Sequence, residues 1–216
     1  MAMPNPRRLL VEGKEDLRII PEFVEKNGVA WGPKNRPIVE IKDCGGFNGV
    51  IGPHVIETEL KASGLSAMGI IVDADDDCAA RWQAIRGRCV SEFPSLPPDL
   101  PEEGVVAFNK EGGIRLGVWI MPDNGSPGMI ETFLLNQVPA SGIRLRKFAE
   151  DCVSGSRNQG AQWKDAHKDK ACIHTWLAWQ DPPGCQLHTA VLVQQLVPDS
   201  PSANAFMTWF RNLYQI

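Results

Sequence analysis

Short apolar runs alternate with amphipathic stretches through the first half of this chain. The runs at residues 8–11 and 68–72 have the length and the branched residues of buried strands, and residues 38–42 alternate like a strand. Helical spacing follows each of them, first at Leu17, Ile20, Phe23 and Val24, then over about 50–62 and about 79–90. Because strand and helix alternate, we predict an α/β fold with a mostly parallel sheet flanked by helices.

The pattern changes after the proline-rich connection at 95–103. Two β-rich runs, 104–109 and 114–121, are separated by a short segment with two glycines, which predicts an antiparallel hairpin added to the sheet. From Met129 onward the apolar spacing is helical. We therefore assign an α/β core that includes the hairpin to 1–128 and a helical C-terminal part to 129–216, and we expect them to pack as one compact domain.

Composition narrows the class of protein. The chain has 216 residues, 43% of them hydrophobic and 22% charged, and a formal net charge of -4, which is not the charge of a typical nucleic-acid-binding domain. The sequence shows neither a signal peptide nor an apolar stretch of membrane-spanning length, so we expect a cytoplasmic protein without a membrane segment. Six cysteines without a CxxC pair indicate reduced thiols, mostly buried.

Acidic residues stand where two of the predicted strands end. Glu12 follows the first run, and Asp73, Asp75 and Asp77 follow the third. Open α/β sheets place their sites at the carboxyl ends of strands, and alternate residues of an extended segment point the same way. Two carboxylates about 4 Å apart repel by roughly 4 kcal/mol at an effective dielectric constant of about 20, so such a cluster favours a bound Mg²⁺ or Mn²⁺. The alternative is that Asp75 to Asp77 cap the next helix.

Other aspartate-rich sites fit less well. An EF-hand loop starting at Asp73 would need glycine and glutamate where Cys78 and Ala84 stand. A phosphoaspartyl phosphatase would need its aspartates after the first strand, which here ends in Glu12. A sugar-nucleotide transferase with a manganese-binding D-x-D remains open, although it would leave Glu12 without a role.

The pairing of Glu12-Gly13 and Asp16 with the later Asp73-Ala74-Asp75 resembles the TOPRIM domain of topoisomerases, primases and small nucleases. The remainder, including Met129-Ile130-Glu131, is similar to an uncharacterised family of stand-alone TOPRIM-related proteins. The resemblance implies a Rossmann-like TOPRIM fold and phosphodiester chemistry. Glu12 would be a general acid/base or a metal ligand, Asp73 and Asp75 would be catalytic magnesium ligands, and Asp77 would assist.

Further residues are candidates for supporting roles. A second metal site, or support for the first, would use Asp16, Asp123 and Glu131. Phosphate contacts would come from Lys14, Gly45, Gly46, Lys168 and Lys170. Each type also has an ordinary explanation, since acids are favoured in the first turn of a helix, lysines are commonly solvated, and paired glycines commonly form turns. The helical spacing of Trp176, Trp179, Trp209 and Phe210 favours core packing over base stacking.

These observations lead to one main hypothesis and one rival from another class. The main hypothesis is a nuclease-like enzyme that uses Mg²⁺ or Mn²⁺ to cleave or transfer phosphodiesters in DNA or RNA. The rival is a non-catalytic TOPRIM-like module that binds a metal or a nucleotide and acts on a protein partner or on a second copy of the chain. The zinc-ribbon spacing of a primase and the P-loop of a fused ATPase are both missing, and Tyr214 is poorly placed as a topoisomerase nucleophile.

Overall fold

The computed structural model describes residues 5–216. Within that range the chain forms five strands and nine α-helices. The strands are β1 (Arg7–Val11), β2 (Glu40–Asp43), β3 (Ala67–Asp73), β4 (Val105–Phe108) and β5 (Arg115–Met121). The helices are α1 (Lys14–Lys26), α2 (Phe47–Val50), α3 (Val55–Leu60), α4 (Cys78–Cys89), α5 (Ile130–Leu135), α6 (Ile143–Ser156), α7 (Lys168–Ala178), α8 (Leu187–Leu192) and α9 (Pro201–Tyr214).

The five strands form one sheet in the order β2-β1-β3-β5-β4. All neighbours are parallel except β4 and β5, which pair antiparallel. The predicted mostly parallel α/β sheet and its added hairpin are therefore confirmed. Since β1 and β3 are adjacent and parallel, their carboxyl ends meet at one edge of the sheet.

One predicted helix is wrong in its extent. The helix expected over about 50–62 is two shorter helices, α2 and α3, because Gly52 and Pro53 lie between them. Pro53 lacks an amide donor, and His54 adopts a left-handed backbone with φ 64° before α3 begins. The backbone hydrogen bonds of a single helix are therefore interrupted between α2 and α3.

Alternate residues of the sheet face two separate apolar layers. In β1, Leu9 and Val11 pack with α1 and the C-terminal helices, whereas Leu10 packs on the opposite face with α4 and the residues around α2 and α3. Both faces of the central strands are covered, which explains why the stretches 9–11, 68–72 and 116–121 carry no charged side chain. The helices after residue 129 share the first layer with the sheet.

Paired glycines let α9 approach the sheet closely. Gly69 of β3 lies directly opposite Gly117 of β5, and an added methyl group would come within 2.5 Å of the Tyr214 hydroxyl at Gly69 and 2.6 Å of Leu213 at Gly117. Tyr214 is fully buried, and its hydroxyl donates a hydrogen bond of 2.6 Å to the Arg8 carbonyl. The small residues thus admit a helix whose last turn reaches across the sheet.

Three of the four C-terminal aromatic residues pack in the core as predicted, and one does not. Trp176, Trp209 and Phe210 are buried, but Trp179 is 42% exposed because it stands just past the last turn of α7. The six cysteines are free thiols, and three of them are buried. None of the helices in residues 5–216 is both long and apolar enough to cross a membrane.

Candidate functional site

The carboxyl ends of β1 and β3 bring Glu12 and Asp73 into contact. The Asp73 backbone N–H donates a hydrogen bond of 2.9 Å to Oε1 of Glu12, although 61 residues separate them in sequence. Glu12 lies just beyond β1, and Asp73 is the last residue of β3. The sheet topology therefore unites the two acidic strand ends that the sequence singled out.

Two further acids come from the first turns of helices. Asp16 of α1 accepts a hydrogen bond of 3.0 Å from the Gly13 N–H, and Glu131 lies in the first turn of α5. Both are buried, with 8% and 3% of their surface exposed. Asp73 in turn accepts a hydrogen bond of 2.9 Å from the Ile130 N–H, which fixes the start of α5 against β3. We call Glu12, Asp16, Asp73 and Glu131 the carboxylate cluster.

The carboxylate cluster favours protonation of its members. Burial raises the pKa of Asp16 to about 7, and the charges of Glu12 and Glu131 add to the rise. Burial also raises the pKa of Asp73 well above its ordinary value, with Asp16, Glu12 and Glu131 as further causes. The pKa of Glu12 is raised by burial as well, although the Asp73 N–H and the Arg81 charge oppose the rise. Negative charge at this edge of the sheet is therefore costly unless a proton or a cation compensates it.

Two basic side chains supply part of that compensation. Lys170 of α7 places its Nζ 2.8 Å from Oε1 of Glu131, and this contact raises the pKa of the lysine. Arg81 of α4 pairs with Asp75 and lies 4.0 Å over the centre of the Phe47 ring. The carboxylate cluster thus has one cation from the C-terminal helices and another close by from the helix that follows β3.

Asp75 and Asp77 do not continue the alternation assumed for them. The strand ends at Asp73, and Asp75 adopts a left-handed backbone with φ 49° while its main chain pairs with Gly128. Asp77 is exposed, and its Oδ1 accepts a hydrogen bond of 2.9 Å from the Ala80 N–H as the N-cap of α4. The expectation that all three aspartates project together along an extended segment is wrong, and the alternative of helix capping holds for Asp77.

The remaining acidic candidate lies in its own turn. Asp123, in the loop after β5, accepts hydrogen bonds from the N–H groups of Gly125 and Ser126 and from the Ser126 hydroxyl. None of these contacts involves the carboxylate cluster. Asp123 therefore acts here as a turn-stabilising residue.

The candidate phosphate contacts lie at several places. Gly45 and Gly46 have positive φ angles and open space around them, but their N–H groups already bond to Asp43 and to the Glu12 carbonyl. Lys14 and Lys168 are exposed at the starts of their helices. Of the residues proposed for phosphate, Lys170 is the one in direct contact with a cluster carboxylate.

Arg81 is the functional candidate that sequence reasoning missed. The sequence did contain an indication of it, because Arg81 lies near the N-terminus of α4. The positive end of a helix disfavours a basic residue there unless an acidic residue lies nearby. Asp75, six residues earlier, is that acid. The ring of Phe47 beneath Arg81 gave no sequence signal, since the contact depends on how α2 packs.

The donor atoms suit a hard cation, but the present arrangement is not a ready ligand set. Carboxylate oxygens are the ligands that Mg²⁺ and Mn²⁺ prefer. In the part of the chain that the structure describes, however, no group of three or more His, Cys, Asp or Glu side chains is arranged to hold a metal ion. Glu12, Asp16 and Asp73 each hold a backbone N–H, and Glu131 holds Lys170. A bound cation would have to replace some of these partners.

Fold and site together define an α/β protein with a buried acidic site at the carboxyl edge of its sheet. A family described as proteins of unknown function, DUF3226, matches residues 6–215, and the chain belongs to this family. Searches of curated proteins and of solved structures found no match.

Proposed function

We propose that this protein is a TOPRIM-like enzyme that uses Mg²⁺ or Mn²⁺ at the carboxylate cluster for phosphodiester chemistry on nucleic acid. The observation that supports the proposal most is the direct contact between Glu12 and Asp73 at the ends of adjacent parallel strands. Open α/β sheets bind their ligands at the carboxyl ends of the strands, and this acidic pair lies at that edge. The raised pKa values of Glu12, Asp16 and Asp73 add to this support, because a divalent cation would offset both the burial of these carboxylates, which is the main cause of the rise, and the repulsion between them.

In this proposal Asp73 and Asp75 bind the cation, and Asp16 and Glu131 balance its charge. The cation would neutralise phosphate oxygens and lower the pKa of a bound water. Glu12 would serve as general acid/base, since its raised pKa brings proton exchange closer to neutral pH. Arg81, which already pairs with Asp75, would be released by the cation and could then contact a phosphate group.

Calorimetry and a cleavage assay on the same protein test this function. We expect Mn²⁺ or Mg²⁺ to bind the native chain and to support cleavage of labelled DNA or RNA. Asp73→Asn should abolish binding without loss of folding stability, because it keeps the acceptor for Ile130 and removes a repelled charge. The matched control is Asp76→Asn, an exposed residue of the same loop, which should bind and cleave as the native chain does.

A non-catalytic binding module is the second candidate, and the ion pairs of the site favour it. Lys170 and Arg81 already occupy carboxylates that catalysis would need free. Such a module would bind Mn²⁺ or a nucleotide, and it would leave DNA and RNA intact at every metal concentration. Absence of both metal binding and cleavage in the native chain would contradict the enzymatic proposal.

A further inference from the structure

The solvent side of α6 carries an exposed aromatic pair. Phe148 of α6 and Trp179 at the end of α7 stack with ring centroids 5.4 Å apart, yet they remain 57% and 42% exposed. A whole aromatic side chain presents 150–250 Å², so the exposed parts of this pair amount to on the order of 200 Å². Ile143 and Leu145 of the same helix add further exposed apolar surface. An aromatic patch on the order of 200 Å² is not by itself unusual for a monomer, so the charges beside it decide what would cover it.

The charges along α6 are distributed so that they complement a second copy. Arg144, Phe148 and Asp151 follow the spacing i, i+4, i+7 and therefore share one stripe of the helix. Arg144 and Asp151 lie about 10 Å apart along the axis, on either side of Phe148. Within residues 5–216 neither of them forms an ion pair. The stripe thus has a basic end, an aromatic centre and an acidic end.

We propose that this stripe is a homodimer interface, in which the α6 helices of two copies pack antiparallel about a two-fold axis near Phe148. An antiparallel arrangement sets Arg144 against Asp151 of the partner subunit, and the two-fold axis repeats the pair at the other end. Phe148 then lies against its counterpart, with Trp179 of each copy at its side. The inference does not depend on the proposed function of the carboxylate cluster.

The acidic end of the stripe favours a second copy of the chain, rather than a nucleic acid, as the binding partner of this surface. Exposed aromatic rings beside Arg144 and Lys147 would suit stacked bases and phosphates, but Asp151 shares their face and would repel a phosphate backbone. The third basic residue of this helix, Arg146, is already paired with Glu150 at 2.8 Å. A partner that carries both charges in reverse order fits the whole stripe, and a second copy of this chain is such a partner.

Sedimentation velocity and light scattering on the full-length chain over a range of concentrations test the interface. We expect twice the mass of a single chain for the native protein, and Phe148→Glu should raise the dimer dissociation constant at least tenfold. The matched control is Phe108→Glu, because Phe108 is 54% exposed on the edge strand β4, away from α6. This variant should dimerise as the native chain does.

A charge exchange tests the antiparallel geometry itself. Arg144→Glu and Asp151→Arg should each weaken the dimer, whereas the double variant restores the pairs with reversed sign and should recover most of the affinity. These substitutions lie on the solvent side, so circular dichroism should show an unchanged fold. A monomeric native chain, a dimer insensitive to Phe148→Glu, failure of the double variant to recover, or binding of a labelled oligonucleotide to this face of a monomer would each overturn the proposal.

Discussion

Replacement of Asp16 by asparagine tests the electrostatics of the carboxylate cluster without disturbing its shape. Asparagine keeps an oxygen that can accept the Gly13 N–H, now at 3.0 Å from the Asp16 carboxylate. It removes a negative charge that is 8% exposed and lies among Glu12 and Glu131. Any change in stability should therefore report the cost of that charge.

The magnitude follows from the pKa of Asp16. Its rise from 3.8 to about 7 corresponds to about 4 kcal/mol of folding free energy at pH values above 7. Because the folded state holds the proton more tightly than the unfolded chain, the native protein loses this stability as the pH rises from about 4 to about 7. Asp16→Asn does not titrate, so its advantage should be near zero at about pH 4 and reach at most about 4 kcal/mol at about pH 8.

Urea unfolding followed by tryptophan fluorescence measures this difference, since the chain has seven tryptophans. Both proteins would be unfolded at about pH 4 and about pH 8, so that titrations common to both cancel. The exposed Asp76→Asn serves as the matched control and should show no growing advantage. A variant that is less stable than the native chain at about pH 8, or whose advantage does not grow with pH, would contradict a raised pKa for Asp16.

Two more substitutions test the packing and the ion pairs. Gly117→Ala should cost about 1–3 kcal/mol in urea unfolding, because its methyl group would lie 2.6 Å from the buried Leu213. Gly113→Ala, which meets open space, should stay within about 0.5 kcal/mol of the native chain, and equal effects would contradict the close approach of α9. Lys170→Met should cost about 1–3 kcal/mol at about pH 8 by leaving the buried Glu131 without its partner. Addition of Glu131→Gln should recover most of that loss, and failure to recover would show that Lys170 acts elsewhere.

The parallel sheet was predictable because its signal is local. The central part of each strand, 9–11 in β1 and 67–72 in β3, has no charged side chain, since both faces of the sheet are covered there. The division between α2 and α3 was missed, because Val50 and Ala62 bracket a spacing that looks helical until Gly52 and Pro53 are given full weight. Local breaks of this kind depend on backbone angles, which hydrophobic spacing does not report.

The part of the candidate site that lies at the ends of strands was predictable from the sequence. Glu12 and Asp73 meet because parallel neighbours end at the same edge, a consequence of topology alone. Asp75 departed from expectation because the alternation rule holds only while the backbone is extended, and its φ is 49°. The pair between Lys170 and Glu131 was beyond prediction, since 39 positions of chain and two helix packings separate its members.

The ion pair between Lys170 and Glu131 links the C-terminal helices to the candidate site at the ends of the strands. The Ile130 N–H bonds to Asp73, so the start of α5 is held by the end of β3. From the same first turn of α5, Thr132 donates a hydrogen bond of 2.7 Å to Asp169, beside the contact of Lys170 with Glu131. We therefore expect a change of charge at Asp73 to affect the start of α5, which contacts α7 through Thr132 and Glu131. A ligand that neutralises the carboxylate cluster would loosen the hold of Lys170 and with it the first turn of α7, which makes amide protection in α7 the most direct readout of binding at this edge.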